Sequence, residues 1–154
     1  MRAFKDLTSL ERTVLSTIPI ARAMQLTASD YDGHRLALSA PLAPNVNDKG
    51  CAFGGSLVSL MTLAAWGLVN LKLDEAGLAG AVYVQDSTVE YLAPVWAELI
   101  AEAAAAPEES WPAFVAAFQS NGRARIAVNA EVSGADGGLV AARFTARFVA
   151  KSES

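Results

Sequence analysis

The stretch from Cys51 to Val69 constrains this chain more than any other, because it runs for 19 residues without a charge. That is about the length a bilayer core demands. A helix apolar on nearly all sides is either a membrane span or the buried centre of a domain. Here Gly54 and Gly55 sit near one end, Ser56, Ser59 and Thr62 form a polar seam, and strand-like sequence on both sides would be left without a core if the helix crossed a membrane. We therefore expect a buried central helix and no membrane partner. At 154 residues the chain suits one domain spanning 1–154, burying roughly two-thirds of its unfolded surface.

The rest of the composition narrows the partners. Hydrophobic residues make up 53% and charged residues 18%, which argues against disorder. The sequence has no basic cluster with which to neutralise nucleic acid. A net charge of -4 serves solubility and mildly opposes an anionic ligand, so any such ligand needs a local cationic spot. Cys51 is the only cysteine, and the start, MRAFKDLTSLER, has no apolar leader; a reducing cytoplasm is the expected setting.

Along the chain, residues 5–17 place Leu7, Leu10, Val14 and Ile18 at helical spacing, with Pro19 ending the helix. Between Ala23 and Pro41 two extended runs flank Asp32-Gly33, a pair suited to a tight hairpin turn. A loop, NVNDKGCAF, leads into the central helix, expected from about Gly54 to Leu73. Four strands follow, in 80–92, near residue 100, in 124–132 and in the segment LVAARFTARFVA. In the last two, apolar and polar residues alternate, which gives each strand one buried face. Ser110, Pro112 and Asn121-Gly122 bracket a second, shorter helix near 110–121. The order is α+β, and a curved antiparallel sheet of about six strands wrapped round the central helix covers it on nearly all sides.

The segments NVNDKGCAFGGSLVSLMTLAAWGLV and DSTVEYLAPVWAEL resemble the hot-dog thioesterases, and most closely the family typified by the C-terminal domain of YiiD-type acetyltransferases. The first resembles that family's Asn-bearing loop, Gly-Gly pair and helix start; the second resembles a strand of form T-x-[DE]-[FY]-L-x-P. The resemblance implies the hot-dog fold and a homodimer, or a dimer of two such dimers, with acyl-thioester clefts where the post-helix strands of two subunits pair. No cofactor is implied beyond the coenzyme A or carrier-protein phosphopantetheine that forms part of the substrate.

Thioester hydrolysis needs donors for a carbonyl oxygen that becomes negative, and a base or nucleophile. Gly54 and Gly55 could present bare amides at the helix start, or could merely let the loop turn. Asn47 stands where related enzymes position the thioester or water; an Asn in a Pro-flanked loop also stabilises turns. Two departures from the family stand out: Phe53 replaces the His of an H-G-G motif, and Thr62 replaces a catalytic Asp or Glu. Thr62 shares the seam of Ser56, Ser59, Trp66 and Asn70, where hydroxyls commonly bond back to their own helix.

A replacement base could come from Asp86 or Glu90, which period-two alternation sets on one face with Val84 and Thr88; either carboxylate could equally be solvated or paired. The expected catalytic residues are thus Asn47, Gly54 and Asp86, with Phe53, Gly55, Ser56, Thr62 and Glu90 lining the substrate site. The lone His34 reads as an exposed loop residue, and no metal site is indicated. Arg123, Arg125, Arg143 and Arg147 are either solvated charges or contacts for the phosphates of coenzyme A. The expected function is acyl-thioester hydrolysis; the alternatives are a non-catalytic acyl-thioester binder and a dimerisation module.

Overall fold

The computed structural model describes residues 6–134 and 138–153; Lys5, the expected start of the first helix, lies outside them. Helix α1 runs Leu7–Thr17, capped by the Asp6 carboxylate, which accepts from Ser9 N–H at 2.8 Å. Leu10 and Val14 are its buried residues. Pro19 ends α1 as expected but also begins a second helix, α2 (Pro19–Met24), so Ala23 and Met24 are helical and not extended. The reason is that proline's fixed φ and missing N–H suit the first position of a helix as well as they suit a stop.

Strands β1 (Thr27–Tyr31) and β2 (Leu36–Ala40) pair antiparallel. Tyr31 pairs with Leu36, so the expected two-residue turn is a four-residue loop. Asp32 shapes it: its carboxylate accepts the N–H groups of His34 and Arg35 at 2.8 and 2.7 Å, and those bonds lower its pKa. Gly33 takes φ +92°. Glu11 on α1 accepts Ala28 N–H at 2.7 Å and fastens that helix to β1.

Helix α3 spans Gly54–Glu75. By length and composition it could cross a membrane, yet 61% of its most apolar window is buried within the protein. Gly67 lets α3 lie close to β2 and α1: a Cβ there would lie 2.9 Å from Leu36 Cδ2 and 3.2 Å from Leu10 Cδ2. The remaining elements are β3 (Gly80–Tyr91), β4 (Leu99–Ala105), α4 (Trp111–Asn121), β5 (Arg123–Ser133) and β6 (Val140–Ser152). Helix α4 has its expected Ser110 cap, bonded to Ala113 N–H, and a left-handed Gly122 at its end.

All six strands form one antiparallel sheet in the order β1-β2-β4-β5-β6-β3. The inward rows, including Ile126, Val128, Ala130, Phe144 and Phe148, are buried in one core with Leu60, Met61 and Leu68 of α3. β3 is an edge strand of 12 residues. A bulge interrupts it: Val84 pairs with Phe148, whereas Asp86 pairs with Arg147, leaving Gln85 as the extra residue.

Candidate active site

The start of α3 is built so that two adjacent amides are left bare. Phe53, the extended residue before the helix, offers no side-chain cap. Its own N–H is taken by Asn45 O at 2.7 Å, and its carbonyl accepts Ser56 N–H and Leu57 N–H at 2.9 and 3.1 Å. Among the described residues nothing accepts from Gly54 N–H or Gly55 N–H. Both donors therefore sit at the positive end of a 22-residue helix. Neither glycine has a positive φ, so the backbone does not demand glycine there. The missing side chain is what matters: a Cβ on Gly54 would lie 3.3 Å from Tyr91 Cε1, and one on Gly55 would overlap the Phe53 ring. Phe53 and Tyr91, 55% and 56% exposed, flank the pair.

The loop before the helix supports this end. Val46 bridges to Ala52, Asn47 N–H donates to Cys51 O at 2.8 Å, and Ala52 N–H ties the loop to Val95 O at 2.8 Å. Asn47 fulfils its turn role, since its Oδ1 accepts Lys49 N–H at 2.8 Å. Its Nδ2 donates to Cys51 Sγ at 3.3 Å, a weak acceptor, and among the described residues the second hydrogen of that amide has no partner. Of the two readings of Asn47, the turn role is the one these hydrogen bonds describe. A cleft of about 420 Å³ opens here, lined by Asn47, Lys49, Cys51, Gly54, Leu57 and Tyr91 among others.

Sequence reasoning missed three contributors to this end. Asn45 is almost fully buried, and its Nδ2 donates to Met24 O and Pro41 O at 3.0 and 2.7 Å, which anchors the loop carrying Asn47. Cys51 is buried beside Asn47. Tyr91 pairs with Ala142 on the inward face of β3; it stands at the [FY] position of the strand motif, and alternation from Val89 was the signal for it.

The remaining expected residues separate into two groups. Ser56 and Thr62 lie on the half-buried seam of α3. The Thr62 hydroxyl donates back to Val58 O at 2.7 Å, the structural use that small hydroxyls commonly find in helices. Asp86 and Glu90 need correction. The bulge at Gln85 reverses the alternation, so Asp86, Thr88 and Glu90 share the outer face with Arg147, Thr145 and Arg143, while Val84 stays on the inner face with Phe148. Asp86 is gripped by Arg147, with Nε 3.0 and 3.1 Å from its two oxygens, and this bond holds its carboxyl below the usual range. Arg143 lies 4.0 Å from Glu90 and 3.8 Å from Glu131. Neither Asp86 nor Glu90 faces the cleft of its own chain. His34 is exposed in the β1–β2 loop.

A long, mostly buried helix against a six-stranded antiparallel sheet, with bare amides at the helix start, defines the hot-dog class. The same fold recurs in solved structures. A protein of unknown function from Chlorobaculum tepidum TLS is 32% identical, with 95% of this chain and 94% of that one covered and a TM-score of 0.88. A protein from Shewanella oneidensis described as a putative thioesterase is 29% identical over 94% of this chain and 96% of its own, at TM-score 0.84. A thioesterase from Haemophilus influenzae, 13% identical over 99% and 96%, shares the fold at TM-score 0.76. Residues 7–152 match the family described as "Putative thioesterase (yiiD_Cterm)", and the chain belongs to that family.

Proposed function

We propose that this protein hydrolyses an acyl thioester, of coenzyme A or of a carrier protein, in a cleft completed by a second copy of the chain. The observation that carries the proposal is the pair of unbonded amides on Gly54 and Gly55 at the start of α3. Fixed donors at a helix N-terminus between two aromatic rings are aimed where a thioester oxygen gains charge, and they need no reorganisation as it does so. In this reading Gly54 N–H holds the oxygen, Gly55 N–H assists, and the spare hydrogen of Asn47 Nδ2 orients the thioester or the attacking water. Phe53 and Tyr91 exclude solvent. The half-buried seam of Ser56 and Thr62 continues the wall along α3 toward the acyl group. The free edge of β3 supports the homodimer, because an unpaired strand of this length invites pairing with a copy of itself.

A second reading has its own observation: none of the described residues lining the cleft is a carboxylate, which suits a domain that binds acyl thioesters without turning them over. One screen separates the two. With acyl-CoAs of varied chain length, the enzyme releases free thiol faster than buffer does. A binder raises its melting temperature with ligand and releases none. If neither effect appears for any acyl-CoA or acyl carrier protein, both readings fail.

A further inference from the structure

The bulge at Gln85 decides which side chain β3 delivers to the start of α3. With an unbroken period of two, Val84, Asp86, Thr88 and Glu90 would share the inner face. With Gln85 as an extra residue, Ser87, Val89 and Tyr91 follow Val84 inward instead. A phenol therefore reaches the bare amides in place of the Glu90 carboxylate. The exchange matters electrostatically. A carboxylate at the positive end of a helix caps the free N–H groups itself and repels an oxyanion formed there, whereas a hydroxyl donates to one. The Tyr91 ring lies with its hydroxyl-bearing edge toward Gly54: a Cβ on that glycine would be 3.3 Å from Cε1, 3.6 Å from Cζ and 3.8 Å from the hydroxyl oxygen. The hydroxyl donates to Gly54 O at 3.5 Å, well beyond the roughly 2.7–2.8 Å usual for O–H···O. That carbonyl belongs to the first residue of α3, where it accepts the N–H four residues on, so it does not depend on the hydroxyl. Of the other side chains in the cleft that can donate, Lys49 is paired with Asp48 at 3.1 Å and Cys51 is bonded with Asn47. Among the described residues Tyr91 has that one long bond and no other.

We propose that Tyr91 is a catalytic residue: its hydroxyl leaves Gly54 O and joins the Gly54 and Gly55 amides as a third donor to the thioester oxygen as that oxygen becomes negative. This assignment rests on the thioesterase reading. A turn about the Cζ–Oη bond redirects the hydrogen without moving the ring. No proton is transferred, since the O–H bond of Tyr91 stays intact while charge gathers on the oxygen and disperses again as the carbon–sulfur bond breaks. Leu57 and Leu92 line the same cleft, and a donor among apolar neighbours is worth more than one in water. The bulge thus has a catalytic consequence, because it brings a donor to the helix start and turns an acid away from it.

The test compares the unaltered chain with Tyr91→Phe and with Tyr83→Phe, which removes the same hydroxyl from β3 outside the cleft. Phenylalanine keeps the ring and suits the [FY] position of the strand motif, so Tyr91→Phe folds, as a melting curve checks. Two readouts are taken on the full chain. One is thiol release from acyl-CoAs, resolved into kcat and KM. The other is the infrared carbonyl stretch of a bound ketone analogue, in which a methylene replaces the thioester sulfur of an acyl-CoA so that nothing can be hydrolysed. In Tyr91→Phe we expect kcat to fall about tenfold to a hundredfold, less than is typical for a lost oxyanion donor because two amides remain, with KM nearly unchanged. The carbonyl stretch, lowered on the unaltered chain, moves back toward its free value in Tyr91→Phe and stays in place in Tyr83→Phe. A retained kcat, a loss confined to KM, or a carbonyl stretch that ignores Tyr91→Phe overturns the proposal and leaves the thioesterase reading standing. A chain that releases no thiol yet binds the ketone with the Tyr91-dependent shift overturns the thioesterase reading and leaves Tyr91 as the donor to the bound carbonyl. Neither turnover nor ketone binding overturns both.

Discussion

Gly54→Val is the sharpest perturbation of the cleft, because the structure separates its effect on chemistry from its effect on folding. Gly54 has no positive φ and stands at the first position of α3, so valine meets no backbone strain. The new Cβ falls 3.3 Å from the ring of Tyr91, which is more than half exposed and can give way by lengthening the 3.5 Å bond that its hydroxyl donates to Gly54 O. A cost within about 1 kcal/mol follows, equivalent to about 2–4 °C in a domain of this size. The consequence for catalysis is larger. The branched side chain covers the approach to the Gly54 amide, and loss of one oxyanion donor costs about 2.7–4 kcal/mol, or 10²–10³ in kcat. Because the Gly55 amide remains bare, we expect the lower end, about a hundredfold. Thiol release from an acyl-CoA, resolved into kcat and KM, is the assay, with light scattering and a melting curve alongside. A variant that keeps its fold and assembly, yet retains both turnover and acyl-thioester affinity, would show that the helix start is structural and the cleft lies elsewhere.

Three further outcomes are expected. Asp86→Asn should leave turnover within a few-fold of the unaltered chain, since the carboxylate sits on the outer face and is held by Arg147; a hundredfold loss in a folded variant, the size expected of a lost general base, would return Asp86 to the mechanism. The Asp86 pKa is lowered on folding, so the carboxylate's stabilisation is present above the unfolded carboxyl pKa near 4 and is lost as pH falls through the folded value; melting curves of the two forms should converge there. Gly67→Ala should lower stability by ~1–2 kcal/mol in urea titration, as overpacking against Leu36 and Leu10 costs about 1–3 kcal/mol and the gain in helix propensity returns less than about 1; an unchanged midpoint would mean that α3 is packed more loosely than described. Val84→Asp, which puts a charge on the exposed inner side of the β3 edge, should convert a dimer at micromolar concentration to a monomer without turnover, and a fully active monomer would place the whole site in one chain.

Much of the fold was legible because its signals are local and redundant. The uncharged run in α3, the alternation in β5 and β6, and the Ser110, Pro112 and Gly122 punctuation of α4 each fix an element without reference to the others. The failures occurred where one residue type serves two conformations. Pro19 stops one helix and starts the next, and Asp32-Gly33 chemistry suits both a two-residue turn and the four-residue loop that forms.

The candidate site divides along the same physical line. Gly54 and Gly55 could be read from the sequence because bare amides at a helix start follow from the backbone once the helix is placed. The face of Asp86 could not, since it hangs on a single extra residue. In an unbroken strand Val84 and Asp86 share a side, and the inference from alternation is sound; with Gln85 bulged, every residue after it changes side relative to those before it. Nothing in QDSTVEY announces the bulge, because what stabilises it lies on other strands: Arg147 of β6 meets Asp86 on the outer face, while Phe148 and Ala146 hold Val84 and Ser87 on the inner one. Moving the carboxylate outward also leaves the inner edge of β3 to Val84, Ser87, Val89 and Tyr91, a surface of low charge on which a second copy can pair without desolvating an acid. In the proposed homodimer, the shift that turns Asp86 outward makes the strand edge a better partner for itself, and an acid placed back on that edge should weaken assembly before it touches chemistry.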